Sequence, residues 1–377
     1  MIILIGNNYV NLRGNQQTVP YNLQMKLHIF NPEHDLALAA DLANFTPPKA
    51  AMKLRKGLGF IPALWADSGD AVLVDEPSVA IAALSEAAKA IGRPLSDVSF
   101  VTKNSLSRLK PEAVSPWGWD RALYHDLLRN GIPSDICPSE RAICTIRALS
   151  HRRTAAALLS QLRLDGTVGE AYECNSEAQV VDFVQSHNHA VIKAPWSSSG
   201  RGVRMINGAE IDHGFRGWIK NLLKQQGALM VEPYYEKVKD FGMEFICDGQ
   251  GGVTYLGLSL FEADGSAYTG NLLATESFKL QAILTYISAE LYNTVKKRIQ
   301  TCLADMLGYE YAGPLGIDMM IVKGNASHAF MLHPCVEINL RRTMGHVALS
   351  LMPTDETIQM TMRIETDNNY KLKIQSL

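Results

Sequence analysis

Near the end of the chain, in "LHPCVEINLRRTMG" (332–345), Glu337 and Asn339 stand two residues apart in an apolar run, and Arg341 and Arg342 follow at once. Alternate residues of a strand share a face. An acid and an amide are therefore presented side by side, with two cations just beyond them. Asp318 interrupts the preceding apolar run, "GPLGIDMMIV". Hard oxygen donors of this kind suit Mg²⁺, which takes a few carboxylates and otherwise keeps water and substrate phosphates. A turn centred on Asn325 and Ala326 places Asp318 opposite His333, on the face shared by Glu337 and Asn339. The four residues from His333 to Glu337 amount to about 13 Å of strand, so a bulge near Pro334 or an asymmetric loop is expected to bring the acids together.

Three further stretches carry chemistry. In "VIKAPWSSSGRGVRMI" (191–206), Lys193 ends a strand, and a loop of Ser197, Ser198, Ser199, Gly200 and Gly202 leads into the next. Backbone N–H groups and hydroxyls in such a loop can cradle phosphate oxygens while the lysine supplies a point charge. The bland alternative is a flexible hairpin with an exposed lysine. In "MVEPYYEKVKDFGMEF" (230–245), a strand runs through a linker into another strand. Tyr234 or Tyr235 can pack on a purine there, with Glu232, Asp240 or Glu244 taking ribose hydroxyls; a plain β-connection is the alternative. In "FNPEHDLALAADLANFTPPKAA" (30–51), Asn31, Glu33, His34 and Asp35 begin a helix after the first strand, where α/β folds open a ligand crevice. Acceptor binding by His34 and Asp35 competes there with ordinary helix capping by the aspartate. His187 and His189 in "SHNHA" read as a surface loop.

The elements that position these residues alternate at first: "KLHIF", a helix through "DLALAADLA", "AVLVD", a helix over Val79 to Ile91, and "VSFVT". That order predicts a Rossmann-like parallel domain. A boundary is expected near Lys110 to Trp119, then helical runs over Arg121 to Asn130 and Ser139 to Leu162. Strands dominate after Gly169, interrupted by helices at Glu210 to Gln226 and roughly Gln281 to Leu307, which reads as antiparallel α+β. The division is 1–24, a poorly patterned extension, 25–118, and 119–377. The start lies at Met1 or Met25, and the unpatterned stretch before "MKLHIF" favours Met25.

At 377 residues, 47% apolar and 20% charged, the chain has the composition of a globular protein of two or three domains. A net charge of -2 without a long basic run argues against nucleic acid or an anionic membrane as partner. No window approaches the roughly 18 to 20 apolar residues that span a bilayer, and "MIILIG" lacks the basic flank of a signal peptide, so a cytoplasmic location is expected. Six cysteines without a CxxC pair point to reduced thiols. The chain has no GxxxxGK[ST] phosphate loop, GxGxxG, HExxH or GxSxG.

The order of the pieces (lysine strand with a Gly/Ser loop, strand–linker–strand with E-P-Y, Asp strand, then "EIN" followed by arginine) resembles the ATP-grasp superfamily. This is the carboxylate–amine/thiol ligase fold also found in D-alanine:D-alanine ligase and biotin carboxylase. The resemblance covers roughly Arg121 to Ser350. It implies an α/β Rossmann-like domain followed by two α+β ATP-grasp subdomains with ATP between them. By it, Lys193 and the loop Ser197 to Gly202 hold phosphates, the Glu232 to Tyr235 linker meets adenine, and Asp318, Glu337 and Asn339 bind Mg²⁺, with Mn²⁺ as a substitute. Arg341 then stabilises the transferring phosphoryl group. A second phosphate-binding cation falls to Arg152 or Arg153, where the family commonly has lysine. The implied activity is an ADP-forming ligase joining a small-molecule carboxylate to an amine. A small-molecule kinase on the same fold and a nucleotide-binding regulatory protein without turnover are the alternatives, and a homodimer is left open.

Overall fold

The structure, a computed structural model, describes residues 3–5, 8–10, 25–197, 202–208, 210–264, 267–367 and 369–377. Ser198, Ser199 and Gly200 of the expected phosphate loop lie outside the described residues. Within the first 24 residues, Ile3–Ile5 and Asn8–Val10 pair as an antiparallel hairpin.

The first domain holds β1 (Lys26–Ile29), β2 (Ala71–Leu73), β3 (Ser99–Val101) and β4 (Ala113–Pro116), a parallel sheet in the order β3-β2-β1-β4. Its helices are α1 (His34–Ala40), α2 (Lys49–Leu58) and α3 (Pro77–Ile91). Leu27, Ile29, Ala71 and Val72 are buried, as parallel strands covered on both faces require. The expected boundary stretch contains β4, so the domain closes at that strand's C-terminal end. Three helices follow: α4 (Arg121–Arg129), α5 (Glu140–Leu149) and α6 (Arg152–Gln161). The run expected from Ser139 to Leu162 breaks at Ser150 and His151, where His151 caps α6 by accepting from the Arg153 N–H at 3.0 Å.

A small lobe is built from β5 (Tyr172–Cys174), α7 (Glu177–His187), β6 (His189–Lys193), β7 (Val203–Asn207), α8 (His213–Gln226) and β8 (Leu229–Pro233). Its antiparallel sheet runs β5-β8-β6-β7. Asp212 caps α8 by accepting from the Phe215 N–H, and Gly227 ends it at φ 80, a left-handed turn that glycine adopts without penalty. His187 ends α7 and His189 begins β6, both exposed.

The large lobe contains β9 (Lys237–Asp248), β10 (Val253–Asp264), β11 (Ala267–Leu273), α9 (Glu276–Leu284), α10 (Ala289–Leu307), β12 (Ala312–Lys323), β13 (Phe330–Asn339), α11 (Met344–Ser350), β14 (Met360–Asp367) and β15 (Asn369–Ser376). Seven antiparallel strands run β13-β12-β9-β10-β11-β14-β15. Helix α10 buries Tyr292, Val295, Ile299, Leu303 and Leu307, spaced three or four apart on one face. Each contributes about 1.5–3 kcal/mol of burial against the sheet.

The hairpin β14–β15, to which the sequence reading gave no element, returns the chain to the first domain. Met360 and Met362 share a core with Phe30, Leu58 and Val72. Gly57 lets the Tyr370 backbone approach so closely that a Cβ there would overlap the Tyr370 carbonyl. The first domain is thereby held against the face of the large lobe that carries the acids.

Candidate functional site

Strand pairing gathers the acids. Asp318 lies directly opposite Glu337, and Asn339 opposite Gly316. On the other side of β12, Gly316 faces Glu244 and Asp318 faces Gly242. Paired residues of an antiparallel sheet point to the same face. Glu244, Asp318, Glu337 and Asn339 therefore form one patch across three strands. The four-residue offset anticipated from the sequence is made up in two halves. The turn sits one residue later than expected, with Lys323 opposite Phe330 and Met320 opposite His333, and a bulge spanning Pro334 supplies the other two residues.

The crowding has electrostatic consequences. Asn339 Nδ2 donates to Asp318 Oδ2 at 3.2 Å. Burial, and then the neighbouring carboxylates of Glu337 and Glu244, push the Asp318 carboxyl up to about 7, against the opposing pull of Arg341. Glu244 is 2% exposed, fitted into space that Gly316 and Gly345 leave open. His346 Nδ1 is 2.9 Å from Glu244 Oε2, but that nitrogen also faces the Thr343 N–H at 3.1 Å, while Nε2 faces the Phe245 carbonyl. With the ring donating to Phe245 and accepting from Thr343, Glu244 Oε2 has no donor, and it is buried. Among the described residues no three His, Cys, Asp or Glu side chains form a ready metal cage. Two or three carboxylates with an amide instead fit Mg²⁺ that shares its coordination with phosphates, and the raised Asp318 carboxyl and orphaned Glu244 oxygen are what a cation there would relieve.

The two arginines after β13 diverge. Arg341 turns toward the acids and is gripped by Asp35 of α1 through Nε–Oδ1 at 3.0 Å and Nη2–Oδ2 at 2.8 Å, across 306 residues of sequence. Burial works to raise the Asp35 carboxyl, but Arg341 outweighs it and holds Asp35 below the usual carboxylate range. The residue capping α1 is Glu33, whose side chain makes no cap bond, so the capping expected of the aspartate is replaced by this inter-domain clamp. His34 is buried against Asp120, with Nδ1 3.2 Å from its carboxylate, and lines a small pocket with Asp35, Glu337 and Asn339. Arg342 points elsewhere. Its guanidinium stacks 4.4 Å over Trp65, and burial lowers it to about 10. Of the pair, only Arg341 lines the cavity with the acids.

On the facing lobe, Lys193 Nζ and Glu232 Oε2 form a buried pair at 2.5 Å across β6 and β8. The break before α6 directs Arg152 inward. Its guanidinium donates to the Ala194 carbonyl at 3.0 Å and to Ser197 Oγ at 3.3 Å, and pairs with Glu337 at 2.9 Å. Arg153 is 56% exposed and pairs with Glu173. Arg152, rather than Arg153, thus stands between the Ser197 loop and the acid patch. Gly202 closes against Ser197 and Ala194, where a Cβ would clash. Asp240 pairs with Lys237 at 2.5 Å near the mouth of the linker, and Glu244 sits with the acids four residues further in on the same face. Tyr234 is 43% exposed, while Tyr235 packs edge-on to His333 at 5.6 Å.

His333 is the residue that sequence reasoning passed over. Both ring nitrogens are buried without a partner, and burial followed by the Lys193 charge lowers it to about 3, so it is neutral. Its ring abuts Gly169, whose φ of +133 and lack of Cβ are both required, since a Cβ would lie 2.7 Å from Nε2. The apolar strand around it gave no signal of this.

A cavity of about 280 Å³ joins the pieces, and Asp35, Ser197, Glu244, Asp318, Glu337, Asn339 and Arg341 are among its lining residues. Among the described residues no helix is long and apolar enough to cross a membrane.

No family model and no curated protein matches the sequence. Solved structures do match the fold. N5-carboxyaminoimidazole synthetase from Staphylococcus aureus, complexed with ADP, is 10% identical and covers 94% of this chain and 92% of its own, at a TM-score of 0.51. The biotin carboxylase domain of Hydrogenobacter thermophilus 2-oxoglutarate carboxylase, a dimer in complex with MgADP, ADP and bicarbonate, is 12% identical and covers 90% of this chain and 74% of its own, at 0.50. With a parallel first domain and two antiparallel lobes meeting at an acid-lined cleft, the chain has the ATP-grasp fold.

Proposed function

We propose that the protein is an ATP-dependent ligase that activates a carboxylate as an acyl phosphate for attack by an amine. The observation that carries this reading is the convergence of Asp318, Glu337, Asn339 and Arg341 on one cavity, with Ser197 of the small lobe in its lining and Arg152, at the start of α6, bridging Ser197 to Glu337. Such an arrangement suits phosphoryl transfer, where catalysis is mostly positioning and charge stabilisation. The relatives of known structure were crystallised with ADP or MgADP, which accords with it.

In this reading Glu337, Asn339 and Asp318 hold Mg²⁺ or Mn²⁺, which supplies charge neutralisation on the phosphates. Lys193, Arg152, Ser197 and Gly202 bind the phosphates, and the Glu232 to Tyr235 linker takes the base. Arg152, now paired with Glu337, would be free to bind phosphate were Glu337 to hold the metal. A carboxylate oxygen attacks the γ-phosphorus, the bond to the β-phosphate oxygen breaks, and ADP leaves. Arg341, fixed by Asp35, offsets charge on the transferring group. The amine then attacks the acyl carbon, loses a proton, and expels inorganic phosphate. A cytoplasmic enzyme acting on small molecules is the corresponding setting.

The nucleotide half of the reading is tested by thermal unfolding. Mg-ATP at a hundred times its dissociation constant adds about 2.7 kcal/mol of stability, a rise of several degrees. Lys193→Ala, compared with its own ligand-free midpoint, is expected to lose most of that rise. An undiminished shift in the variant rejects the phosphate-binding assignment.

A further inference from the structure

We propose that the acid accepted at this site is a small monocarboxylic acid with a compact apolar body, a single ring or a short branched chain. The inference rests on the ligase reading for the reacting end and on the cavity walls for the body. Arg341 is the one cation among the described residues lining the cavity, and its bonds to Asp35 and to the Arg342 carbonyl leave two of its five N–H groups unused, so the ligase reading, with a magnesium nucleotide offsetting the acids, seats the carboxylate at that end. The rest of the lining has the opposite character. Phe30 and Trp117, from the C-terminal ends of β1 and β4, meet edge to face with centroids 5.0 Å apart. Leu54 of α2, Phe261 of β10, Met344 of α11 and Ile364 of β14 complete an apolar surround.

The polar groups in these walls are already occupied. Tyr268 donates its hydroxyl to Asn271 Oδ1 at 2.5 Å, and the Asn271 amide donates to Ser259 Oγ at 2.8 Å and to the Leu260 carbonyl at 3.3 Å. A hydroxylated or doubly charged body would lose water there and find few partners in exchange. An apolar body loses nothing polar and covers the rings. The cavity of about 280 Å³ lies just under the usual range for small-molecule sites, roughly 300–1,000 Å³, which limits that body to a single ring or a short branched chain. An acid as small as acetate would leave the walls wet.

Binding to the full chain, read calorimetrically with Mg-ADP in place of ATP, tests this separately from turnover. The probes are acetate, butyrate, hexanoate, phenylacetate and the polar comparator succinate. Affinity is expected to rise about fourfold per CH₂ group, and phenylacetate to exceed succinate by about 100-fold. Leu54→Asp and Ile364→Asp, on half-buried positions outside the acid patch, should each weaken phenylacetate by at least about tenfold. An unchanged Mg-ATP thermal shift in these variants shows that they are folded, and Leu54→Ala, expected to weaken binding about threefold or more, serves if the charged forms are not. A flat series, or succinate bound best, overturns the proposal even if hydroxamates form from small polar acids. Binding of phenylacetate without any ATP turnover upholds it and overturns the ligase reading instead.

Discussion

Glu337→Gln is expected to lower the rate of ATP-dependent product formation by about 10³-fold or more while the protein stays folded. The substitution keeps the shape and removes the anion that pairs with Arg152 and, in the proposed reaction, with the metal. Loss of one hard anionic ligand removes several kcal/mol of charge stabilisation in the transition state, and each 1.36 kcal/mol is tenfold in rate. The cost to folding is smaller. Arg152 keeps its bonds to the Ala194 carbonyl and Ser197, and a glutamine oxygen still accepts from it, so about 1–2 kcal/mol is at stake. Steady-state rates beside a denaturation curve check both parts. Wild-type turnover in the variant would move the metal site elsewhere.

Arg341→Ala should suppress interception of the activated acid, measured as hydroxamate when hydroxylamine replaces the amine, by about 10² to 10³-fold. Nucleotide affinity should change little, because phosphate binding falls to Lys193 of the small lobe and Arg152 at the start of α6. Asp35→Asn carries the same defect in weaker form, since it loosens a guanidinium now held at two points. Equal losses of nucleotide affinity and hydroxamate yield in Arg341→Ala would place Arg341 among the nucleotide ligands.

What the sequence made legible was local. The spacing of Glu337 and Asn339 on an apolar strand gave the acid–amide pair, and the misfit between Asp318 and His333 called for the bulge found at Pro334. Alternation of short strands and helices gave the parallel first domain. Illegible features depend on contacts between distant segments. Arg152 and Arg153 are neighbours in one basic run, and only the break at His151 decides which enters the cleft. Arg341 and Arg342 look equivalent until Trp65 and Asp35, both from the first domain, draw them apart. Glu244 read as a residue of the linker strand, since its place beside Asp318 is set by pairing between β9 and β12. The hairpin of β14 and β15 did carry a signal: "MTMRIETD" and "NYKLKIQS" alternate apolar and polar residues around a D-N-N turn.

The central claim is that a substrate carboxylate takes phosphate from ATP. Oxygen-18 placed in the carboxylate of an accepted acid, with ATP and an amine supplied, tests it most directly by mass spectrometry of the released phosphate. The account predicts ADP together with phosphate carrying one labelled oxygen per turnover. Unlabelled phosphate, label recovered in AMP alongside pyrophosphate, or a stable phosphorylated alcohol would contradict it.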